Sequence, residues 1–369
     1  MSAQTLAAIA LSPEKPFELR EMELLPPRSD EVQVKIKATG ICHTDIAVKE
    51  QAFALPLPMV LGHEGAGVVE QVGESVTHVK VGDHVVLCGD SCGHCRNCHS
   101  GLPFYCVEFA QRNLSGERVD GSTCLVCDGE AMRGRFVAQS SFSTHVIAST
   151  RGVIKVPSDL PLELMGPLGC GLTTGVGTVM NALKPEPGSS IAIFGAGTVG
   201  LAGVMGAKLS GCSKIIVVDI NQARLQMALE IGATDVINPE QGDVVEKILS
   251  LTAGGANYSM ECTGVPTVVL QAVNCLTPPG WCAQVGVTPS AITVPLEMDQ
   301  VVFGRGIRGV VMGEANVQNF VPYLAELFRQ GHLPYDRFVK FYDFADINQA
   351  VYDSAVTGEV IKPILRMPE

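Results

Sequence analysis

The chain has 369 residues, 46% of them hydrophobic, with 39 glycines and 22 prolines, which fits a turn-rich globular protein of two domains and excludes a disordered one. Its formal net charge of −12 comes with no run of lysine or arginine to offset it, which excludes a nucleic-acid or anionic-membrane partner. No apolar stretch reaches the length of a membrane span and residues 1–11 lack a basic leader, so the expected setting is the cytoplasm, where thiols stay reduced.

Residues 32–38 alternate apolar and polar with period two, and residues 67–73 and 83–87 behave similarly. Residues 5–149 are therefore expected to form a β-rich, barrel-like domain. Within it, residues 108–141 are polar, glycine-rich and irregular, and read as a long excursion loop. The register changes near Gly171. Residues 190–194 form a buried strand, followed by a glycine turn and a helical run over 199–209. Residues 214–219 are a second apolar strand, and 221–231 a helix closed by Gly232. Further strands are expected at 258–262, 282–287 and 307–311. Alternation of this kind indicates a doubly wound parallel sheet, an α/β fold. Helices over 317–330 and 346–356, each stopped by a glycine, precede a closing strand at 361–366 that would return to the first domain. The expected organisation is residues 1–171 and 314–369 as a discontinuous first domain, with residues 172–313 inserted as the α/β domain.

Cys92, Cys95, Cys98 and Cys106 form a C-x2-C-x2-C-x7-C cluster. Four thiolates at that spacing can close on one tetrahedral Zn²⁺ and leave no position for substrate, which makes a structural clamp. Disulfides or a reactive redox pair are the competing readings. The 13 cysteines are odd in number and scattered, unlike a disulfide scaffold. His94 and His99 are available as substitutes for one thiolate, and Cys124 and Cys127 read as ordinary loop or core residues.

Gly195-Ala196-Gly197-Thr198-Val199-Gly200 matches the G-x-G-x-x-G of dinucleotide sites. Alone the motif is weak in a glycine-rich chain, but here it lies between a buried strand and a helix. Gly195 allows the tight turn, Gly197 admits the pyrophosphate at the helix start, and Gly200 lets the helix pack on the strand. Asp219 closes the next strand, where it can accept from both ribose hydroxyls and repel a 2′-phosphate, so NAD is favoured over NADP. Arg224 lies near enough to accommodate a phosphate.

Cys42, His63 and Cys170 lie far apart, each in a frame of turn residues, and spacing alone does not join them. The join comes from Gly40-Ile41-Cys42-His43-Thr44-Asp45, Gly62-His63-Glu64-Gly65, the four-cysteine loop, Gly169-Cys170-Gly171 and the nucleotide motif, taken in order. From residue 32 almost to residue 363 this pattern resembles the zinc-dependent medium-chain alcohol dehydrogenases. Residues 40–48, 58–65, 112–116 and 139–142 are most similar to bacterial aryl- (benzyl-) alcohol dehydrogenases.

The resemblance implies a GroES-like β-barrel catalytic domain, a Rossmann coenzyme domain and two Zn²⁺ per subunit. Cys42, His63 and Cys170 would hold the catalytic zinc, whose fourth position is left for an alcohol oxygen that it would acidify before hydride passes to NAD. Thr44 would contact the substrate oxygen and relay its proton to the coenzyme ribose. Asp45 would orient His63, and Glu64 would sit behind the metal. His43 and Lys362 would approach the pyrophosphate, and Thr174 and Val199 would press on the nicotinamide. The chain departs from many relatives at Ala47, three residues beyond Thr44, where a histidine would end the proton relay. The implied reaction is oxidation of a benzylic, allylic or terpenoid primary alcohol to its aldehyde by a homodimer or homotetramer. The alternatives are a short-chain aliphatic or S-hydroxymethylglutathione dehydrogenase, or a zinc-stabilised NAD-binding protein without turnover.

Overall fold

The computed structural model describes residues 3–288 and 291–369. They form two compact units. One comprises Met1–Cys170, Asn316–Gln330 and Asp336–Glu369, the other Gly171–Ala315 and Gly331–Tyr335. Gly171, residues 314–315 and residues 331–335, expected with the first domain, group with the second.

The first unit is all but a β-structure. The strand Glu31–Gly40 is its spine: it pairs antiparallel with Glu64–Val72, His145–Ser149 and the late strand Lys362–Arg366. Val32, Val34, Ile36 and Ala38 are buried, as the period-two pattern requires. A second sheet is built from Ala3–Ala10, Glu18–Leu24, Met59–Val60 and two short strands, Leu125–Cys127 and Glu130–Met132. Those last two lie in the segment expected to be irregular. Each is three residues long, too short to show a period, and they turn at Gly129, whose φ is +82°. A helix, Phe109–Asn113, lies in the same segment. The excursion is tied to the spine by a buried ion cluster, in which Arg118 grips Glu31 through two bonds of 2.8 Å and Arg135 donates to it at 2.9 Å. Cys124 and Cys127 are buried in the core of this unit.

In the second unit, among the described residues, six parallel strands lie in the order Asp235–Ile237, Lys214–Val218, Ser190–Phe194, Ala256–Glu261, Leu276–Gln284 and Arg305–Gly309. The last three strands, expected at 258–262, 282–287 and 307–311, each start and end earlier, the fifth by the most because it runs through Pro278 and Pro279. The helix Thr198–Leu209 carries three glycines, poor helix formers, yet is buried from Gly200 to Ala207. Packing compensates. A Cβ on Gly203 would lie 2.8 Å from Met260 Sδ, and one on Gly206 3.1 Å from the Val176 backbone. The next helix, Gln222–Ile231, is capped by Asn221, whose side chain accepts from Ala223 and Arg224, and ends at Gly232 with φ +135°. In the first unit, the helix expected over 346–356 is α-helical over Ile347–Val351 and widens to π turns over Tyr352–Val356.

Candidate active site

Three elements of the first unit deliver Cys42, His63 and Cys170. The strand Glu31–Gly40 ends, and Cys42, extended at φ −108°, starts the helix His43–Lys49. Asp45, at the third helical position, accepts from the Cys42 backbone N–H at 2.9 Å, closing the first turn. The other oxygen of Asp45 accepts from Gly62 N at 3.0 Å and meets His63 Nδ1 at 2.8 Å. One buried carboxylate thus fixes two ligand-bearing segments and leaves His63 Nε2 to face the sulfurs. Cys170 follows the 3-10 turn Gly166–Gly169.

The donor atoms of Cys42, His63 and Cys170 lie within 4.8 Å of one another, with Cys42 Sγ 4.0 Å from Cys170 Sγ. A tetrahedron of bonds about 2.3 Å long has edges near 3.8 Å, so the set fits Zn²⁺ with one vertex open. The two thiols titrate apart: sharing a hydrogen bond with Cys170 holds Cys42 well below the ordinary thiol value, and Cys170 is pushed up. Burial alone would lower His63, but the Asp45 charge and the Cys42 thiolate outweigh it and hold the ring well above its usual value. A dication held there would displace that proton.

Glu64 lies behind the cluster, fully buried, with Oε2 2.8 Å from Lys362 Nζ. A Cβ at position 40 would fall 2.0 Å from that oxygen, so glycine there makes room for the carboxylate. Burial raises Glu64, an effect that Lys362 offsets in part. Lys362 is 2% exposed and donates to Glu64 and to the Ile41 carbonyl. His43 is exposed, and Thr44 is half-buried with Oγ1 3.8 Å from Cys42 Sγ. Ala47 is buried between Ile46 and Val48, and Phe53 packs against the barrel core.

The four-cysteine cluster also gathers its sulfurs within 4.8 Å, with Cys92 Sγ 3.9 Å from Cys98 Sγ. Backbone N–H groups of Cys92, Cys95 and Glu108 point at the sulfurs. The Cys98 and Val107 backbones draw the Cys95 thiol down to about 6, while burial pushes Cys106 up to about 12. Only a bound cation would ionise the whole set. His94 and His99 are exposed; His94 Nδ1 meets the Cys92 carbonyl, and His94 also lies within ligand distance of Cys92 and Glu108. All 13 cysteines are free thiols, which removes the disulfide reading.

In the second unit Gly195 has φ +96°, and a Cβ on Gly200 would sit 1.8 Å from the Gly195 carbonyl oxygen. Gly197 opens onto free space at the helix start. Asp219 accepts from Ala196 N at 2.6 Å and Asn221 N at 2.8 Å, which holds the carboxylate beside the glycine turn. Arg224 lies on the first turn of the following helix. Thr174 is nearly buried, its hydroxyl 3.5 Å from Met312 Sδ, and Val199 lies on the facing helix, where Gly175 lets the two approach.

Two family models match the chain: the alcohol dehydrogenase GroES-like domain over residues 28–158 and the zinc-binding dehydrogenase over 198–328. The chain belongs to the zinc-dependent alcohol dehydrogenases of the medium-chain type, built from a GroES-like barrel and a Rossmann domain. It is 42% identical to a geraniol dehydrogenase of Castellaniella defragrans, over 99% of this chain and 98% of that one. The benzyl alcohol dehydrogenase of Acinetobacter calcoaceticus superposes with a TM-score of 0.95 at 43% identity, covering 99% of this chain and all of that one. An alcohol dehydrogenase zinc-binding domain protein of Burkholderia ambifaria gives 0.98 at 45% identity, with both chains fully covered.

The sequence placed Gln139 within the family-like residues 139–142 but did not show its bonds to His63 and Gly65, and it did not show the Glu31–Arg118–Arg135 cluster. Each pairing joins residues far apart in the chain.

Proposed function

We propose that the chain is an NAD-dependent dehydrogenase that oxidises benzylic, allylic or terpenoid primary alcohols to aldehydes and carries two zinc ions. The observation that carries this is the convergence of Cys42, His63 and Cys170 donor atoms within 4.8 Å, with a hydroxyl, Thr44, beside them. These three would hold the catalytic zinc, and Cys92, Cys95, Cys98 and Cys106 the structural one. When bound, the catalytic zinc supplies a Lewis acid that lowers the pKa of an alcohol hydroxyl, and NAD supplies the hydride acceptor.

The chain's own residues do the rest. Thr44 Oγ1 accepts the alcohol proton and passes it on. Asp45 keeps the His63 tautomer that leaves Nε2 free for metal. Glu64, locked by Lys362, supplies negative charge behind the ligands. Thr174 and Val199 bear on the nicotinamide, and His43 binds pyrophosphate. Asp219 accepts from the adenosine ribose hydroxyls, which favours NAD, and Arg224 flanks it. With Ala47 buried and apolar, the proton leaves through His43 or water. The names of the geraniol and benzyl alcohol relatives support the substrate class. Exposed Trp281, Val302 and Phe303 beside the edge strand Arg305–Gly309 support pairing of subunits as a homodimer or homotetramer. Among the described residues no helix is long and apolar enough to cross a membrane, and a cytoplasmic setting accords with that and with the free thiols.

The test is zinc content of the purified chain together with NAD-coupled oxidation of geraniol, benzyl alcohol and ethanol. The expected result is two zinc ions per chain and a higher kcat/KM for geraniol or benzyl alcohol than for ethanol. A preference for ethanol, a polyol or S-hydroxymethylglutathione would overturn the substrate class.

A further inference from the structure

The segment Phe136–Phe142 lies along the chain that carries His63. Its backbone donates from Ser141 N to the Gly62 carbonyl at 2.9 Å and from Phe142 N to the Leu61 carbonyl at 3.0 Å. Ser140 Oγ donates to the Val60 carbonyl at 2.6 Å. Two polar groups of the metal-bearing segment lie beyond the reach of that ladder, the His63 carbonyl and the Gly65 N–H. Both are satisfied by one side chain: Gln139 Nε2 donates to His63 O at 3.0 Å, and Gln139 Oε1 accepts from Gly65 N at 3.1 Å. Gln139 is fully buried, as are both bonds. The Phe136 ring meets the His63 imidazole edge-to-face at 5.4 Å.

The approach is close by design of the neighbouring glycines. A Cβ on Gly62 would sit 2.4 Å from Phe142 N, and one on Gly65 would sit 2.8 Å from Ser141 Cβ and 3.1 Å from Gln139 Oε1. The two glycines that flank His63 and Glu64 are therefore there to admit this strap. The strap also holds an unusual backbone: Val137, Ala138 and Ser140 have φ of +47°, +58° and +53°, a region that residues with a side chain seldom occupy. Such strain persists only where the surroundings over-determine it, and it concentrates at functional sites. Here the surroundings include the Arg135–Glu31 ion pair, one residue before the strap begins.

We infer that Gln139 is a positioning residue for the catalytic metal, an amide clip whose two backbone bonds hold the His63–Gly65 segment so that His63 meets the Cys42 and Cys170 sulfurs. The inference rests on the reading that Cys42, His63 and Cys170 hold zinc. Asp45 fixes the far nitrogen of the ring, and Gln139 fixes the main chain from which the ring hangs. Losing either leaves the other to orient the ligand alone.

The experiment uses the full-length enzyme and Gln139→Met, which matches the side chain in length and removes both hydrogen bonds. Zinc release to a chelating dye is followed in both proteins, and the visible spectrum is recorded after cobalt exchange at the catalytic site. Outer ligands of metal sites are worth about 10–100-fold in affinity. The expected result is release of one zinc faster by about tenfold or more in Gln139→Met, with a shifted cobalt spectrum and the second, clamp zinc released at the wild-type rate. Equal release rates and superimposable cobalt spectra would overturn the inference. If Gln139→Met loses the clamp zinc as well, it has misfolded, and the same readings are taken on Gln139→Asn. That amide is one methylene shorter and reaches at most one partner, so acceleration of about threefold is expected and none would overturn the inference. A wild-type chain that holds only the clamp zinc would instead overturn the underlying reading, and the inference with it.

Discussion

The two sulfur clusters differ in what assembles them. The clamp draws its four thiols from residues 92–106, and its N–H···S bonds come from the same loop. The catalytic set draws on a helix cap, a strand start and the end of a 3-10 turn, between residues 42 and 170. In the first, a bound ion would create the local structure; in the second, the barrel creates the site before any ion arrives. A metal removed from the clamp should therefore cost stability, and one removed from the catalytic set should cost chemistry.

The sharpest way to break this contrast is Cys98→Ser. It should reduce zinc from two to one per chain and lower Tm by about 10 °C or more, because binding energy at a structural site is folding energy. Calorimetry with metal analysis checks it. Cys170→Ser should also leave one zinc per chain but lower kcat/KM by about 10³-fold while Tm stays within a few degrees of wild type. If both variants lost stability equally, the contrast would collapse.

Glu31→Gln tests the barrel's part. It leaves Arg118 and Arg135 buried without their counter-charge, at a cost of about 3–5 kcal/mol in chemical denaturation. Burial pushes the Glu31 carboxyl up, but Arg118 and Arg135 pull it below its ordinary value. A depressed folded pKa means stability that is present above the unfolded carboxylate value near 4.5 and lost as pH falls through the lower folded one. Acid unfolding between about pH 5 and pH 2 should therefore be steeper in wild type than in Glu31→Gln.

Asp45→Asn should weaken the catalytic zinc by about 10–100-fold and leave the clamp zinc in place, read by metal-buffer titration. Asp219→Ala should have the smallest effect. It should cut the preference for NAD over NADP by about tenfold, measured as the ratio of kcat/KM values, without altering zinc content.

The same contrast explains what could be read from the residues. The clamp was legible from spacing, because its ligands are neighbours. The Rossmann strands and helices were legible too, because each βαβ step is local and its glycine turn sits at a fixed place. Cys42, His63 and Cys170 could be joined only through resemblance to a family. Of their supports, Asp45 and Glu64 came through the same resemblance, whereas the longer-range partners did not. Gln139 acts on a backbone carbonyl 76 residues away, Arg118 on a carboxylate 87 away, and Lys362 on one 298 away. No periodicity encodes such pairs. The burial of Lys362 against Glu64 is of the same kind, since only the folded barrel brings the two together.

That last pairing sets an order on how the enzyme comes into being. The strand carrying Gly40 and the helix carrying Cys42 are translated early, yet their neighbour Lys362–Arg366 leaves the ribosome some 320 residues later. At about 5–20 residues per second the barrel spends roughly 16–64 s with one side of its spine unpaired and Glu64 without its cation. The clamp can load its ion throughout that interval. Glu64 gains its cation only once Lys362 has been made, long after the four clamp cysteines have emerged.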